Sequence, residues 1–211
     1  PPATFVAVGS GGTIVTSKDG VEWTPRSSGL QSWIRGVASN GSRFVAVASE
    51  GRLLTSADGE TWTQQSTLGG SLNSVCWTGR LFFVLGDGVL WTSPDGTAWT
   101  QQSRHLAAVA WTGEFFVGVG GGGTVVTSAD GTTWTPRTSG ISTYLRDVAW
   151  SGRQFVAVGA EGAIVTSLDG ETWTPRSGIT ATSLNGVTWG ADRFVVVGDK
   201  ATILTAGSSR L

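Results

Sequence analysis

The chain has 211 residues, with 14 Lys+Arg against 15 Asp+Glu, 32 Gly, 11 Trp, one Cys and one His. Charged residues at 14% and a net charge of −1 leave no electrostatic footprint for nucleic acid or an anionic membrane, and no apolar run approaches the ~20 residues of a spanning helix. A single Cys excludes an internal disulfide, and one Cys with one His cannot build a zinc cage, so neither metal nor cofactor is expected.

In chain order, one pattern recurs. A Phe-Val-x-Val-Gly signature or a close variant begins near Phe5, Phe44, Phe83, Phe116, Phe155 and Phe194. A β-branched run follows and ends in Ser17, Ser56, Ser93, Ser128 or Ser167. Two residues later stands an Asp-Gly pair, at Asp19, Asp58, Asp95, Asp130 and Asp169, with spacings of 39, 37, 35 and 39. Four residues after each Asp comes Trp23, Trp62, Trp99, Trp134 or Trp173. The repeat units run approximately 1–29, 30–67, 68–103, 104–140, 141–178 and 179–211, read as one domain.

Each unit reads as four short strands. In the fifth, the predicted strands are 144–150, 154–159, 163–167 and 172–176, rich in Val, Ile, Thr and Trp and separated by Gly, Asp and Ser. Asp-Gly predicts a two-residue type I′ turn between the last two, with positive φ at both residues. No window shows helical periodicity with caps. Four-stranded units repeating near 40 residues predict an all-β fold, a β-propeller.

The inventory is ragged. An inner strand A starts near Trp33, Ser71, His105, Tyr144 and Ser183; strands B and C occur six times and the outer strand D five times. Six blades are favoured, the first without A and the sixth without D. A five-bladed ring is possible if the last A joins the first B, C and D, leaving residues 193–205 as a spare hairpin. The chain is then a monomer, or an oligomer that exchanges terminal strands.

The hairpins "SKDGVEWT", "SADGETWT", "SPDGTAWT", "SADGTTWT" and "SLDGETWT" resemble the Asp-box, or BNR repeat, with one residue fewer between Asp and Gly. Over nearly its whole length the chain resembles bacterial BNR-like or photosystem-assembly-factor-like repeat proteins. The resemblance implies that each Asp-box lies on a C–D hairpin. The residues give the box a structural role: Asp accepts hydrogen bonds from turn amides, Ser bonds locally, and Trp covers the hairpin. Sialidases also carry Asp-boxes, but their Arg triad and Tyr nucleophile with its Glu partner find no matching set here. Gly118-x-Gly120-x-x-Gly123 matches the dinucleotide fingerprint in letters only, because it leads into a strand rather than a helix.

Residues that break the repeat are the candidates for function. Trp33, His105 and Tyr144 precede strand A; Arg35, Arg146 and Asp147 lie just inside it; Glu50, Asp87 and Glu161, with Ser10, Gly121 and Asp199, stand at the B–C loops. The A starts and B–C loops share one face, so these side chains are expected near the mouth of a central channel. Aromatic surfaces with Arg, Asn and carboxylates suit a glycan, a peptide or a polar small molecule. The expected function is a non-enzymatic binding module. The alternatives are an assembly scaffold or engineered repeat protein without ligand, and a glycosidase-like hydrolase. The start Pro1-Pro2-Ala3-Thr4 fits a processed secreted or periplasmic protein.

Overall fold

The computed structural model describes residues 4–65, 67–87, 89–102 and 105–207. Contacts divide the chain into two compact units, 1–105 and 106–211. Each unit carries three antiparallel sheets, and every strand pairs with its neighbour in sequence.

In the first unit, blade one holds β1 (Phe5–Val8), β2 (Ile14–Ser17) and β3 (Thr24–Arg26). Blade two holds β4 (Ile34–Ser39), β5 (Phe44–Ala48), β6 (Leu53–Ser56) and β7 (Thr63–Gln64), and blade three β8 (Leu72–Trp77), β9 (Phe82–Gly86), β10 (Val89–Ser93) and β11 (Thr100–Gln102). In the second unit, blade four holds β12 (Ala108–Trp111), β13 (Phe116–Val119), β14 (Val125–Ser128) and β15 (Thr135–Arg137). Blade five holds β16 (Leu145–Trp150), β17 (Phe155–Gly159), β18 (Ile164–Ser167) and β19 (Thr174–Arg176), and blade six β20 (Leu184–Gly190), β21 (Arg193–Gly198) and β22 (Ile203–Ala206). The ragged six-blade inventory is therefore the observed one. β20 pairs with β21, and β21 with β22, so residues 193–206 form a blade with their own inner strand and are no spare hairpin. Gly118 to Gly123 runs from β13 through a single 3-10 turn into β14.

The core lies between neighbouring blades. Blade five packs one face on blade four, where Val117, Val119 and Val125 meet Leu145, Phe155 and Val165. Its other face packs on blade six, where Val156, Val158 and Ile164 meet Leu184, Phe194 and Val196. The first unit repeats this with Ile14 against Ile34 and Leu54, and with Val45 and Val47 against Val75 and Phe82. A middle strand covered on both faces must be apolar at every position, and β5 and β17 are buried almost throughout. Each such large side chain contributes about 1.5–3 kcal/mol. Little surface is left for charge, which explains the low Lys, Arg, Asp and Glu content.

A tryptophan pair clasps the first Phe of strand B. Ring centroids lie 4.6 and 6.4 Å apart for Trp77–Phe82–Trp99, 4.1 and 6.4 Å for Trp111–Phe116–Trp134, and 4.1 and 5.9 Å for Trp150–Phe155–Trp173. Blade two has one arm, Phe44–Trp62, because β4 ends in Ser39. This register corrects the sequence reading in blade three. Ser93 pairs with Phe82, as Ser167 pairs with Phe155, so Phe82 rather than Phe83 is the repeat position. Two adjacent Phe residues satisfy the same letter pattern, and only pairing reveals which faces the tryptophans.

The C–D hairpins also differ from expectation. Pairing ends at Thr16–Thr24, Thr55–Thr63 and Thr166–Thr174, so the loops span 17–23, 56–62 and 167–173 and are not two-residue turns. Gly20 and Gly170 have φ of 79° and 74°, whereas none of Asp19, Asp58, Asp95, Asp130 and Asp169 has positive φ, so these hairpins lack type I′ geometry. Side chains hold the loop instead. Asp169 Oδ1 accepts from the Glu171 and Thr172 amides, both at 2.8 Å. Ser167 Oγ donates to Asp169 at 2.9 Å and accepts from Gly170 N at 2.8 Å. Trp173 Nε1 closes the loop on Gly170 O at 2.9 Å. The outer strand consequently starts at Thr174, two residues later than the sequence predicts. Pro25, Pro136 and Pro175 sit on these sheet-edge strands, where a missing N–H costs least.

The amide donors favour the ionised carboxylates. The Thr61 and Glu60 amides hold Asp58 down from 3.8 to about 2, and chiefly the Thr172 amide does the same for Asp169. Asp19, Asp95 and Asp130 are lowered too, by the Val21 amide, the Thr97 hydroxyl and the Thr133 amide respectively. A depressed carboxyl contributes stability above its unfolded value, which is lost as pH falls through the folded value. Unfolding followed by Trp fluorescence should therefore show stability declining from about pH 4 towards pH 2. Asp130→Ala should lower stability by about 1 kcal/mol at pH 7, as loss of a capping side chain does, and flatten part of that decline. An unchanged acid profile would refute this role.

Candidate functional site

The functional candidates lie where strand A begins. There the backbone is tied to the B–C loop of its own blade: Ser49 N donates to Trp33 O at 3.0 Å, and Asp87 N to Ser71 O, Ala160 N to Tyr144 O and Asp199 N to Ser183 O, each at 2.9 Å. The approach is close enough to demand glycine. A Cβ on Gly159 would stand 2.0 Å from Tyr144 O, and one on Gly86 2.1 Å from Ser71 O. Immediately inside strand A the ladder slips, between Ile34 and Gly36, Leu72 and Ser74, Leu145 and Asp147, and Leu184 and Gly186. The skipped residues are Arg35, Asn73, Arg146 and Asn185, all exposed. A bulge re-aims its extra side chain, and here it turns four polar groups outward beside the loops.

In the first unit, Trp33 is 54% exposed and the Arg35 guanidinium lies 4.9 Å from its ring centroid. Arg35 Nε also reaches Ser49 Oγ at 3.4 Å. Asn73 Nδ2 donates to Asp87 Oδ1 at 2.7 Å. Glu50 pairs with Arg52 at 3.2 Å. His105 is exposed and directly precedes Leu106.

In the second unit, Tyr144 is 49% exposed, and its ring covers the backbone of Gly121, where a Cβ would lie 3.6 Å from ring carbons. Arg146 Nη1 donates to Asn185 Oδ1, and Asn185 Nδ2 donates to Asp199 Oδ1 at 2.7 Å. A cation and a carboxylate are thus joined through one amide, on neighbouring blades. Glu161 N donates to Ser183 Oγ at 3.3 Å, while its side chain is exposed. Asp147 has a different setting. Its Oδ1 accepts from Val148 N at 2.9 Å and its Oδ2 from Val187 N at 2.8 Å, an amide of blade six. Burial raises its carboxyl above 3.8, with those two bonds acting in the opposite direction.

The B–C loop residues do not share one position. Glu50 and Glu161, at φ 64° and 57°, match Gly11 and Gly122, both at 63°, rather than Ser10 and Gly121. Asp87 and Asp199 match Ser49 and Ala160 by their amide bonds. Asn73 and Asn185 join Asp87 and Asp199 as further candidates, each amide bonded to the carboxylate of its own blade. The available signal was an Asn followed fourteen residues later by an Asp, at 73/87 and 185/199. Among the described residues, no group of three or more His, Cys, Asp or Glu could hold a metal ion, and no helix is long and apolar enough to cross a membrane.

Two outcomes follow from this geometry. Glu161→Gly should raise stability by about 0.5–1 kcal/mol, because glycine relieves left-handed backbone that an L side chain resists; thermal unfolding measures it. Asp147 has a raised folded value, so its contribution is present below pH 3.8 and is lost as pH rises through the folded value. The stability of Asp147→Asn relative to the parent chain should therefore improve between pH 3 and pH 7, opposite in sign to the hairpin carboxylates. Denaturant titrations across that range check it, and a relative loss would refute it.

No protein-family model matches the sequence, and no curated protein matches it. Solved structures do. A structure of YCF48 bound to D1 peptide superposes with a TM-score of 0.75 at 18% identity, covering 98% of this chain and 75% of that one. A chain of a nidogen/laminin complex gives 0.66 at 13%, covering 98% and 90%, and YCF48 from Cyanidioschyzon merolae gives 0.50 at 15%, covering 98% and 92%. At these identities the likeness concerns the fold, and that fold is the β-propeller.

Proposed function

We propose that the chain is a non-catalytic binding module whose strand-A face recognises an extended peptide segment of a protein partner. The carrying observation is the bulge that turns Arg146 and Asn185 outward beside Tyr144. Tyr144 offers a flat apolar body with a polar tip, suited to packing on a peptide chain. Arg146 has further N–H donors for main-chain carbonyls or a carboxylate. Asp199 and the exposed Glu161 accept hydrogen bonds from peptide amides or basic side chains. Two of the structural neighbours are named for complexes, one with a peptide and one between proteins, which supports a peptide over a glycan. The C–D hairpins, read here as a compact form of the Asp-box, frame the opposite loops and leave this face free to vary.

Affinity selection from a peptide library, run beside a glycan array, tests the proposal. The expected result is a peptide ligand whose affinity falls at least tenfold, about 1.4 kcal/mol, in Tyr144→Ala and in Arg146→Ala. Asp130→Ala, on the hairpin side, should bind as the parent does. Selective glycan binding, or a peptide indifferent to both strand-A substitutions, would overturn it.

A further inference from the structure

Blade six has no outer strand among the described residues, yet its strand β22 keeps the features to which outer strands attach elsewhere. In the other five blades a buried Thr of strand C accepts a hydrogen bond from the outer strand. Arg26 Nε reaches Thr16 Oγ1 at 2.9 Å, Gln65 Nε2 reaches Thr55 at 2.9 Å, and Gln102 Nε2 reaches Thr92 at 3.1 Å. Arg137 Nε reaches Thr127 at 3.0 Å and Arg176 Nε reaches Thr166 at 3.1 Å. The counterpart in β22 is Thr205, which pairs with Val195 as Thr166 pairs with Val156. Thr205 is exposed, and no described residue donates to it.

A cavity beside β22 points the same way. Trp173 of blade five packs on Phe155, in a core cluster that also holds Val117, Val125, Ala157 and Val165. By strand register, their counterparts one blade on are Val156, Ile164, Phe194, Val196 and Leu204. Those five residues line a cavity of about 210 Å³ together with Thr205, Ala206 and Ile179. The surroundings of an outer-strand tryptophan are therefore repeated in blade six around an open space. At the C-terminal end of the strand, Ala206 replaces the Ser that starts every other C–D hairpin.

The geometry points to a strand-docking site: the free edge of β22 takes, as a fourth antiparallel strand, an extended partner peptide of the form Trp-Thr-Pro-Arg. This is the sequence of the chain at three of its own outer strands, 23–26, 134–137 and 173–176. The Trp enters the cavity, the Arg bonds Thr205 Oγ1, and the peptide backbone satisfies the edge groups of β22. The site lies apart from the strand-A face and does not rest on its proposed function.

A fluorescently labelled peptide of residues 171–177, Glu-Thr-Trp-Thr-Pro-Arg-Ser, titrated with the full chain and read by anisotropy, tests this. Saturable binding is expected. Trp173→Ala or Arg176→Ala within the peptide should weaken it at least tenfold, and neither change touches the folding of the chain. Thr205→Val in the chain should weaken it about tenfold, the worth of one hydrogen bond to a charged donor. Absence of saturable binding would overturn the proposal. So would equal binding of a peptide lacking both Trp and Arg, or a chain dimer that the peptide leaves intact.

Discussion

The structure depends on sheets that bury both faces at once. A blade alone would leave Val156, Val158 and Ile164 in water on one side and Phe155 and Val165 on the other. Only a neighbouring blade covers them, so no repeat is stable by itself, and the number of copies is a physical requirement. The tryptophans extend this logic to the rim. In blades three, four and five, one ring from the end of strand A and one from the hairpin enclose the same Phe, tying the first and last strands of a blade to its middle.

That arrangement frees the loops. The hairpin side is spent on holding chain reversal, with Ser and Asp repeating the same bond in all five hairpins and a Trp Nε1 bond to the Gly carbonyl joining them in blades two and five. The opposite side carries bulges, left-handed glutamates and side-chain pairs that differ from blade to blade. Rigid repetition on one side and variation on the other is how a uniform scaffold displays a particular surface.

Much of this was legible because the repeat supplies its own alignment. Strand number, strand order and, among the described residues, the three-stranded form of blades one and six follow from comparing the units with each other. What failed was local. Phe82 and Phe83 are interchangeable in a pattern of letters but lie on opposite faces. Asp-Gly reads as a tight turn until the carboxylate is seen to occupy the amides of the two following residues, a bond set that opens the loop. The bulges leave no mark in hydrophobic alternation, since the skipped position is polar and exposed either way. The Asn–Asp pairs were visible only as a spacing of fourteen, which acquires meaning once strand A and the B–C loop are known to touch.

The bond between strand C and the outer strand has a consequence for the rim. Arg26, Arg137 and Arg176 donate through Nε, and Gln65 and Gln102 donate through Nε2, to the same threonine oxygen. A charged and a neutral side chain are thus equivalent in architecture. The charge of the outer strands is therefore adjustable: it can be positive or neutral blade by blade, for solubility or for repulsion between neighbouring molecules, without altering how any sheet is finished.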